Sequence, residues 1–238
     1  MTELPVAIVG AGPIGLAAAA HLTLRGQRVR LYEAGATVGA SIRDWAHVRV
    51  FTPWRYNVDA AAHDLLERHG WRMPPADHLP TGGELYERYL EPLAQTPELA
   101  PHVALRARVT AITRLGLDKV GGWRREQQPF RLRVTHGAGT TRHELARAVI
   151  DASGTWAQPN PIGGDGLPAI GEREHGRRIA YGMPDVLGRD RIRYAGATTL
   201  VLGAGYSAAN VLLDLVRLAE EAPGTRLVWV VRGTSLAR

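Results

Sequence analysis

The sequence of 238 residues predicts an α/β protein built on parallel strands, and two observations carry that expectation. A strand, glycine turn, helix and strand follow one another at the start of the chain, and the same succession returns near its end. The length suits one large or two small domains, each with its own core. With 45% apolar and 22% charged residues, the composition is that of an ordered globular protein, so its 27 glycines do not indicate collagen or disorder.

The opening unit is read residue by residue. Leu4 to Val9 forms a short buried strand, Gly10-Ala11-Gly12-Pro13-Ile14-Gly15 a turn, and an alanine-rich helix runs to Arg25 and stops at Gly26. Arg28 to Tyr32 is the next strand, with Glu33 and Ala34 at its end. Together these make the first unit of a Rossmann-like fold. Gly10 permits the tight turn, Gly12 lets backbone approach a pyrophosphate, and Gly15 lets the helix pack closely on the strand. Pro13 and Ile14 open the helix, whose free N–H groups and partial positive charge suit a phosphate. Glu33 can accept hydrogen bonds from an adenosine ribose.

The middle of the chain extends this unit. Asp59 to His69 reads as a helix closed by Gly70, and Thr81-Gly82-Gly83-Glu84 has the form of a capping box. Val103 to Val109 alternates as a strand, Phe130 to Val134 as another, and Ala146 to Ala152 as a third that runs into Ser153-Gly154-Thr155. His136 and His143 fall in or beside a turn on this reading.

Near the end, Thr199 to Leu202 is a strand, Gly203-Ala204-Gly205-Tyr206-Ser207-Ala208 a turn, Ala209 to Glu221 a helix and Arg226 to Val231 a strand. Ala208 replaces the third glycine, an allowed variant. Where the first unit has Glu33 this one has Arg232, which can pair with a 2′-phosphate, so NADPH is favoured over NADH. Two fingerprints about 190 residues apart point to two cofactors and to electron flow from a nicotinamide to a flavin.

Composition narrows the chemistry further. The absence of cysteine excludes disulfides, thiolate zinc sites and dithiol redox centres. Of the 29 basic residues all but Lys119 are arginine, scattered along the chain rather than clustered, which argues against nucleic acid as a partner. Glu3 and the glycines interrupting Val6 to Ala20 argue against an export signal, and no other apolar run suits a membrane span, so a cytoplasmic location is expected. Trp45, His47, Arg49, Phe51, Trp54, Arg55 and Tyr56 form a dense aromatic and basic cluster, readable either as a wall for a flat anionic ring system or as core packing. His63 and Asp64, like the other histidines, lack metal-ligand spacing, and no catalytic triad is evident, so no metal is expected and the catalytic residues stay unassigned.

Taken together, the first fingerprint with Glu33, Gly39-Ala40-Ser41 leading to Trp45, Tyr89-Leu90, Val109, Asp151-Ala152-Ser153-Gly154-Thr155 and the second fingerprint resemble the two-dinucleotide-binding-domain flavoproteins, near their flavin-containing monooxygenase branch. That resemblance implies FAD on the first motif and NADPH on the second, through Gly203, Gly205, Tyr206, Ser207 and Arg232. It implies that the Val109 backbone meets the adenine, that Ser153 to Thr155 lie near the FAD, and that Phe51, Trp54 and Arg55 lie beside the isoalloxazine. The implied domains are 1–155 for FAD and 156–238 for a linker and an incomplete NAD(P)-binding domain. The implied reaction is oxygenation of a small molecule by reduced flavin and oxygen. The alternatives are a flavin reductase or oxidase without oxygenation, and a truncated non-catalytic binding module. Gly171 and His175 match part of a monooxygenase motif, but Ala169 and Ile179 stand where it carries phenylalanine and an aromatic. A second domain with one βαβ unit also leaves room for a homo-oligomer or a partner chain that completes it.

Overall fold

The structure is a computed structural model that describes residues 3–120, 122–137 and 139–233. The chain divides into two compact units, one ending at Gly154 and the other starting at Thr155.

The first unit begins with β1 (Val6–Val9), α1 (Pro13–Leu24) and β2 (Val29–Tyr32). Short helices α2 (Ala40–Asp44) and α3 (Trp54–Asn57) lead to α4 (Ala60–Arg68), and then to α5 (Gly82–Leu85), a π-turn over Tyr86–Leu90, and α6 (Glu91–Ala94). The strands β3 (Val103–Ala104), β4 (Ala107–Arg114), β5 (Phe130–His136), β6 (Thr140–Ala146) and β7 (Ala148–Asp151) complete it. A parallel sheet has the order β3-β2-β1-β7, with Val6 level with both Val29 and Ala148. Strand β1 is central, and Val6, Ala7 and Ile8 are buried accordingly.

Each face of this sheet has its own cover. Ile8, Val29 and Leu31 face α1 and α4, packing with Leu16, Ala19, Ala20, Ala62 and Leu65. The alanines of α1 keep that helix close to the strands. On the other face Ala7 and Tyr32 meet the antiparallel sheet β4-β5-β6 through Ala107, Leu132, Val134 and Ala146. A polar clasp joins the two sheets: the Tyr32 hydroxyl donates to Glu144 Oε2 at 2.6 Å, and His136 Nε2 lies 3.1 Å from Glu144 Oε1. Burial, and then the Glu144 carboxylate, push the Tyr32 phenol well above its ordinary pKa.

The helical layer is tied by side chains that cap backbone. Asp59 Oδ1 accepts from the N–H groups of Ala61 and Ala62 at the start of α4, while Oδ2 lies 3.1 Å from His21 Nε2 on α1. The Asp59 N–H donates to the Tyr89 hydroxyl, whose pKa burial pushes up to about 12. The capping box is formed, with Thr81 Oγ1 accepting from the Glu84 N–H and Glu84 from the Thr81 N–H. Beyond it Glu91 donates to the Tyr86 carbonyl, five residues back. Pro92 has no N–H to offer the Arg88 carbonyl, and the Trp71 indole N–H fills that place at 2.6 Å.

Several element boundaries differ from the sequence expectation. The single strand over Val103 to Val109 is two strands in different sheets, divided at Leu105-Arg106, where Arg106 has φ 50°. The chain changes sheets there. His143 lies within β6 rather than a turn; this strand sits at a sheet edge, largely exposed, and has no apolar alternation. Ala146 ends β6, so the strand expected over Ala146 to Ala152 is β7 alone.

The second unit contains α7 (Arg191–Tyr194), β8 (Thr198–Leu202), α8 (Tyr206–Glu221) and β9 (Arg226–Val230). The two strands are parallel, with Leu202 opposite Val230. Helix α8 starts three residues earlier than expected and buries Val211, Leu215 and Leu218 against Val201 and Leu227. The other strand face leaves Leu200, Leu202, Val228 and Val230 exposed. The irregular segment before α7 is organised by the buried carboxylate of Glu172, which accepts from the N–H groups of Ile162 and Ala169 and from the Tyr181 hydroxyl. The Tyr181 hydrogen bond, with those backbone bonds, holds this carboxyl below its usual range.

Trp71→Phe is expected to lower stability by about 1 kcal/mol through loss of the indole hydrogen bond to the Arg88 carbonyl, measurable by denaturant unfolding; an unchanged midpoint contradicts this role. For Glu172, the depressed folded pKa means that its stabilisation is complete above the unfolded value near 4.5 and vanishes as pH falls through the folded one. The stability gap between the wild type and Glu172→Gln is therefore expected to be widest above about pH 5 and to close in acid. A gap that does not change with pH counts against the charged carboxylate.

Candidate functional site

The carboxyl ends of β2, β1 and β7 lie side by side, and three loops leave them. Chain order reverses at β1, with β2 on one side and β7 on the other, the arrangement that opens a crevice in a doubly wound sheet. The glycine turn follows β1, Glu33 follows β2, and Ala152 to Gly154 follow β7. These three sequence-predicted groups are brought together.

Close packing fixes the turn. Gly10 has φ +96°, and a Cβ there would lie 2.5 Å from the Ala152 carbonyl oxygen. A Cβ on Gly15 would lie 1.9 Å from the carbonyl oxygen of Gly10. Gly12 is different: its backbone is extended, with φ −80° and ψ −172°, and a Cβ would meet nothing within 4 Å. Gly12 thus fronts open space at the N-terminus of α1, where Pro13 occupies the first helical position and Ile14 is 71% exposed. The first-turn N–H groups of the helix have no intrahelical partners, so this opening suits an anion.

Glu33 is held ready by backbone. Its Oε2 accepts from the Ala11 N–H at 2.9 Å and its Oε1 from the Gly35 N–H at 2.7 Å. The Ala11 carbonyl in turn accepts from Gly39, so the acid loop and the glycine turn are stitched together. The sequence reading missed Ala11 and Gly35, because their contribution is main-chain N–H and leaves no side-chain signal. Ala34 and Ser41 are exposed on this loop and on α2. Val109 is half-buried in β4, two residues beyond Ala107, whose N–H donates to the Glu33 carbonyl. On the β7 side, Asp151 Oδ1 accepts from both the N–H and the hydroxyl of Ser153, at 3.0 and 2.6 Å, which keeps its pKa low. Ser153, Gly154 and Thr155 are exposed.

The aromatic cluster divides. Trp54 is fully buried in the core, with no surface left for a ligand, so its expected flavin contact gives way to a packing role. Trp45 is half-buried, its ring seated so closely on Gly82 that a Cβ there would lie 2.6 Å away. Phe51 is exposed, and Arg55 is paired with Asp77 and lies 4.8 Å from the Tyr56 ring centre.

The second fingerprint repeats the first. Gly203 has φ +122°, and Gly205 at the start of α8 is extended, with φ −86° and ψ 176°, its Cβ direction empty to 4 Å. Tyr206 and Ser207 are exposed beside it. The register corrects the pairing of Glu33 with Arg232. The Gly10 N–H donates to the Tyr32 carbonyl and the Gly203 N–H to the Val230 carbonyl, so Val231 corresponds to Glu33 and Arg232 to Ala34. Neither carries a carboxylate, and Arg232 is exposed. The Trp229 indole N–H braces this turn by donating to the Gly203 carbonyl at 2.7 Å.

Other candidate residues lie apart from these turns in the sequence. His175 is exposed, its ring carbon 3.6 Å from where a Cβ on Gly171 would stand. His63, Asp64 and Glu67 bring one ligand atom each within 4.8 Å of one another, a grouping the sequence reading missed because it omitted Glu67. Asp64 and Glu67 are exposed, and His63 Nδ1 lies 3.5 Å from Glu67 Oε2 as an i,i+4 pair. Among the described residues, no helix is long and apolar enough to cross a membrane.

A family model described as an NAD(P)-binding Rossmann-like domain matches residues 8–73. The chain is 24% identical to the flavin-containing monooxygenase FMO GS-OX-like 3 of Arabidopsis thaliana, a match covering 91% of this chain and 49% of that protein. Among solved structures, the bacillithiol disulfide reductase Bdr (YpdA) from Bacillus cereus has a TM-score of 0.67 at 18% identity, over 99% of this chain and 60% of its own. OTEMO in complex with FAD and NADP has a TM-score of 0.57 at 19% identity, over 96% of this chain and 38% of its own. The chain therefore spans about half the length of its curated relative and 38–60% of these two structures. The chain shares its fold with these solved structures over nearly its whole length, and residues 8–73 match a Rossmann-like domain of the NAD(P)-binding type.

Proposed function

We propose that this chain belongs to an FAD-dependent oxidoreductase that takes its reducing equivalents from NADPH, with FAD on the turn Gly10 to Gly15 and NADPH on the turn Gly203 to Ser207. The observation that carries this reading is the chemical contrast between two cradles of the same shape. Gly12 and Gly205 have matching extended backbones facing empty space, yet one is flanked by a carboxylate, Glu33, and the other by Val231 and Arg232. Glu33 suits ribose hydroxyls and would repel a 2′-phosphate, while a valine followed by arginine suits that phosphate.

On this reading residues 1–155 hold FAD and 156–238 hold the nicotinamide nucleotide. FAD supplies the two-electron acceptor that a nicotinamide hydride requires. The chain's own part is to bind and to orient. The α1 N-terminus and the Gly12 backbone receive the pyrophosphate, and Glu33, already fixed by Ala11 and Gly35, accepts from the ribose. Trp45, Phe51 and Arg55 border the ring system, with Ser41, Val109 and Ser153 to Thr155 around the nucleotide. Tyr206 and Ser207 open the second site.

The relatives that are flavin monooxygenases support oxygenation of a small molecule by reduced flavin and oxygen. A second reading, electron transfer without oxygenation, is favoured by Ala169 and Ile179, which depart from the monooxygenase motif around Gly171 and His175. The ratio of oxygenated product to peroxide formed per NADPH consumed separates the two.

Gly12→Val is expected to fold normally, because its side chain projects into free space, yet to weaken FAD binding by about 100-fold, or about 3 kcal/mol, in an absorbance titration. Wild-type FAD affinity in the folded variant refutes the placement. Arg232→Ala is expected to weaken NADPH binding about tenfold and to leave NADH unchanged, the loss of one charge-assisted contact; equal loss for both nucleotides means that Arg232 does not read the 2′-phosphate.

A further inference from the structure

A recess of about 400 Å³ runs along β2 on the sheet face opposite α1, beneath the end of β6. Its polar lining is Arg28, Arg30, His102, Tyr32 and Glu144, with Leu145 as an apolar wall. No residue of either glycine turn lines it. The volume lies within the range of sites for small organic ligands.

The charge of this recess is unbalanced. Among the described residues Glu144 is its one carboxylate, and both of its oxygens are engaged, one by the Tyr32 hydroxyl and one by His136. Arg28, just before β2, and Arg30 within it both line the recess. The Arg28 guanidinium donates to the Glu3 carbonyl at 3.0 Å, and Arg30 makes a long contact, 3.4 Å, with the Pro101 carbonyl and a further one with the Tyr32 side chain. Among the described residues neither forms an ion pair with a carboxylate, whereas Arg147 nearby has Glu3 and Arg191 has Glu221. Guanidinium forks match carboxylate and phosphate oxygens.

We propose that this recess binds a small organic anion through Arg28 and Arg30, at a site separate from both dinucleotide turns. His102 supplies a further donor, and Leu145 receives the apolar body of the ligand. The anionic group is a carboxylate or a phosphate, and the choice of probe distinguishes them.

The full chain would be titrated calorimetrically with inorganic phosphate, with succinate, and with succinamide as the neutral isostere. Saturable binding of phosphate identifies a phosphate ligand, and saturable binding of succinate a carboxylate; either supports the site provided that succinamide does not bind. Arg28→Gln/Arg30→Gln is expected to weaken the anion at least tenfold while FAD affinity and the circular dichroism spectrum stay unchanged. Arg30→Lys, which keeps the charge, is expected to lose less, and Arg68→Gln on α4 to lose nothing. The proposal is overturned if neither anion binds saturably, if succinamide binds equally well, or if the double variant binds as tightly as the wild type.

Discussion

The close approach of backbone to backbone at Gly10 is the constraint on which the first unit depends. The chain leaves β1 at a positive φ, touches the carbonyl of Ala152 at the end of β7, and turns at once into α1, whose Gly15 rests on the carbonyl of Gly10. No side chain fits at either position. This contact sets the start of α1 over the carboxyl ends of β1 and β7, and so decides where its free N–H groups point. The same turn places the Ala11 N–H against Glu33, so one backbone conformation aligns both the helix end and the acid.

Preorganisation differs between the two glycine turns. In the first, the acid is fixed by two N–H donors and the loop behind it is bonded to the turn through Gly39. In the second, the Trp229 indole N–H braces the Gly203 carbonyl, and Arg232 is exposed beyond the end of β9. A group that bonds Glu33 meets an acceptor already in position, whereas one that bonded the exposed Arg232 would restrict a long side chain and cost more rotamer entropy.

Much of this was legible because the signals were local. A glycine turn between a buried strand and an alanine-rich helix has few other physical readings, and the capping box at Thr81 and Glu84 formed as its spacing required. What escaped depended on long-range contacts. Strand β6, Thr140–Ala146, gave no periodicity because its exposed edge imposes none. Trp54 and Phe51 are both aromatic and only three residues apart, yet one is in the core and the other in solvent. Sequence alone aligned Arg232 with Glu33; only the hydrogen bond from Gly203 to the Val230 carbonyl moved the match to Val231. The recess lined by Arg28, Arg30 and Glu144 was invisible for the same reason, since Arg28 and Glu144 are far apart along the chain.

The π-turn over Tyr86–Leu90 has a consequence for how this region tolerates change in length. An α-helix advances about 100° per residue, and the wider turn accommodates one residue more than a regular helix would across the same distance. Removing a single residue here would restore regular winding and leave Leu93 and Ala94 on the face they now turn toward α4, where they fill part of the core. A one-residue deletion between Tyr86 and Leu90 can thus be absorbed locally, while the same deletion within the regular helix α4 would rotate everything that follows until the chain reaches the next loop.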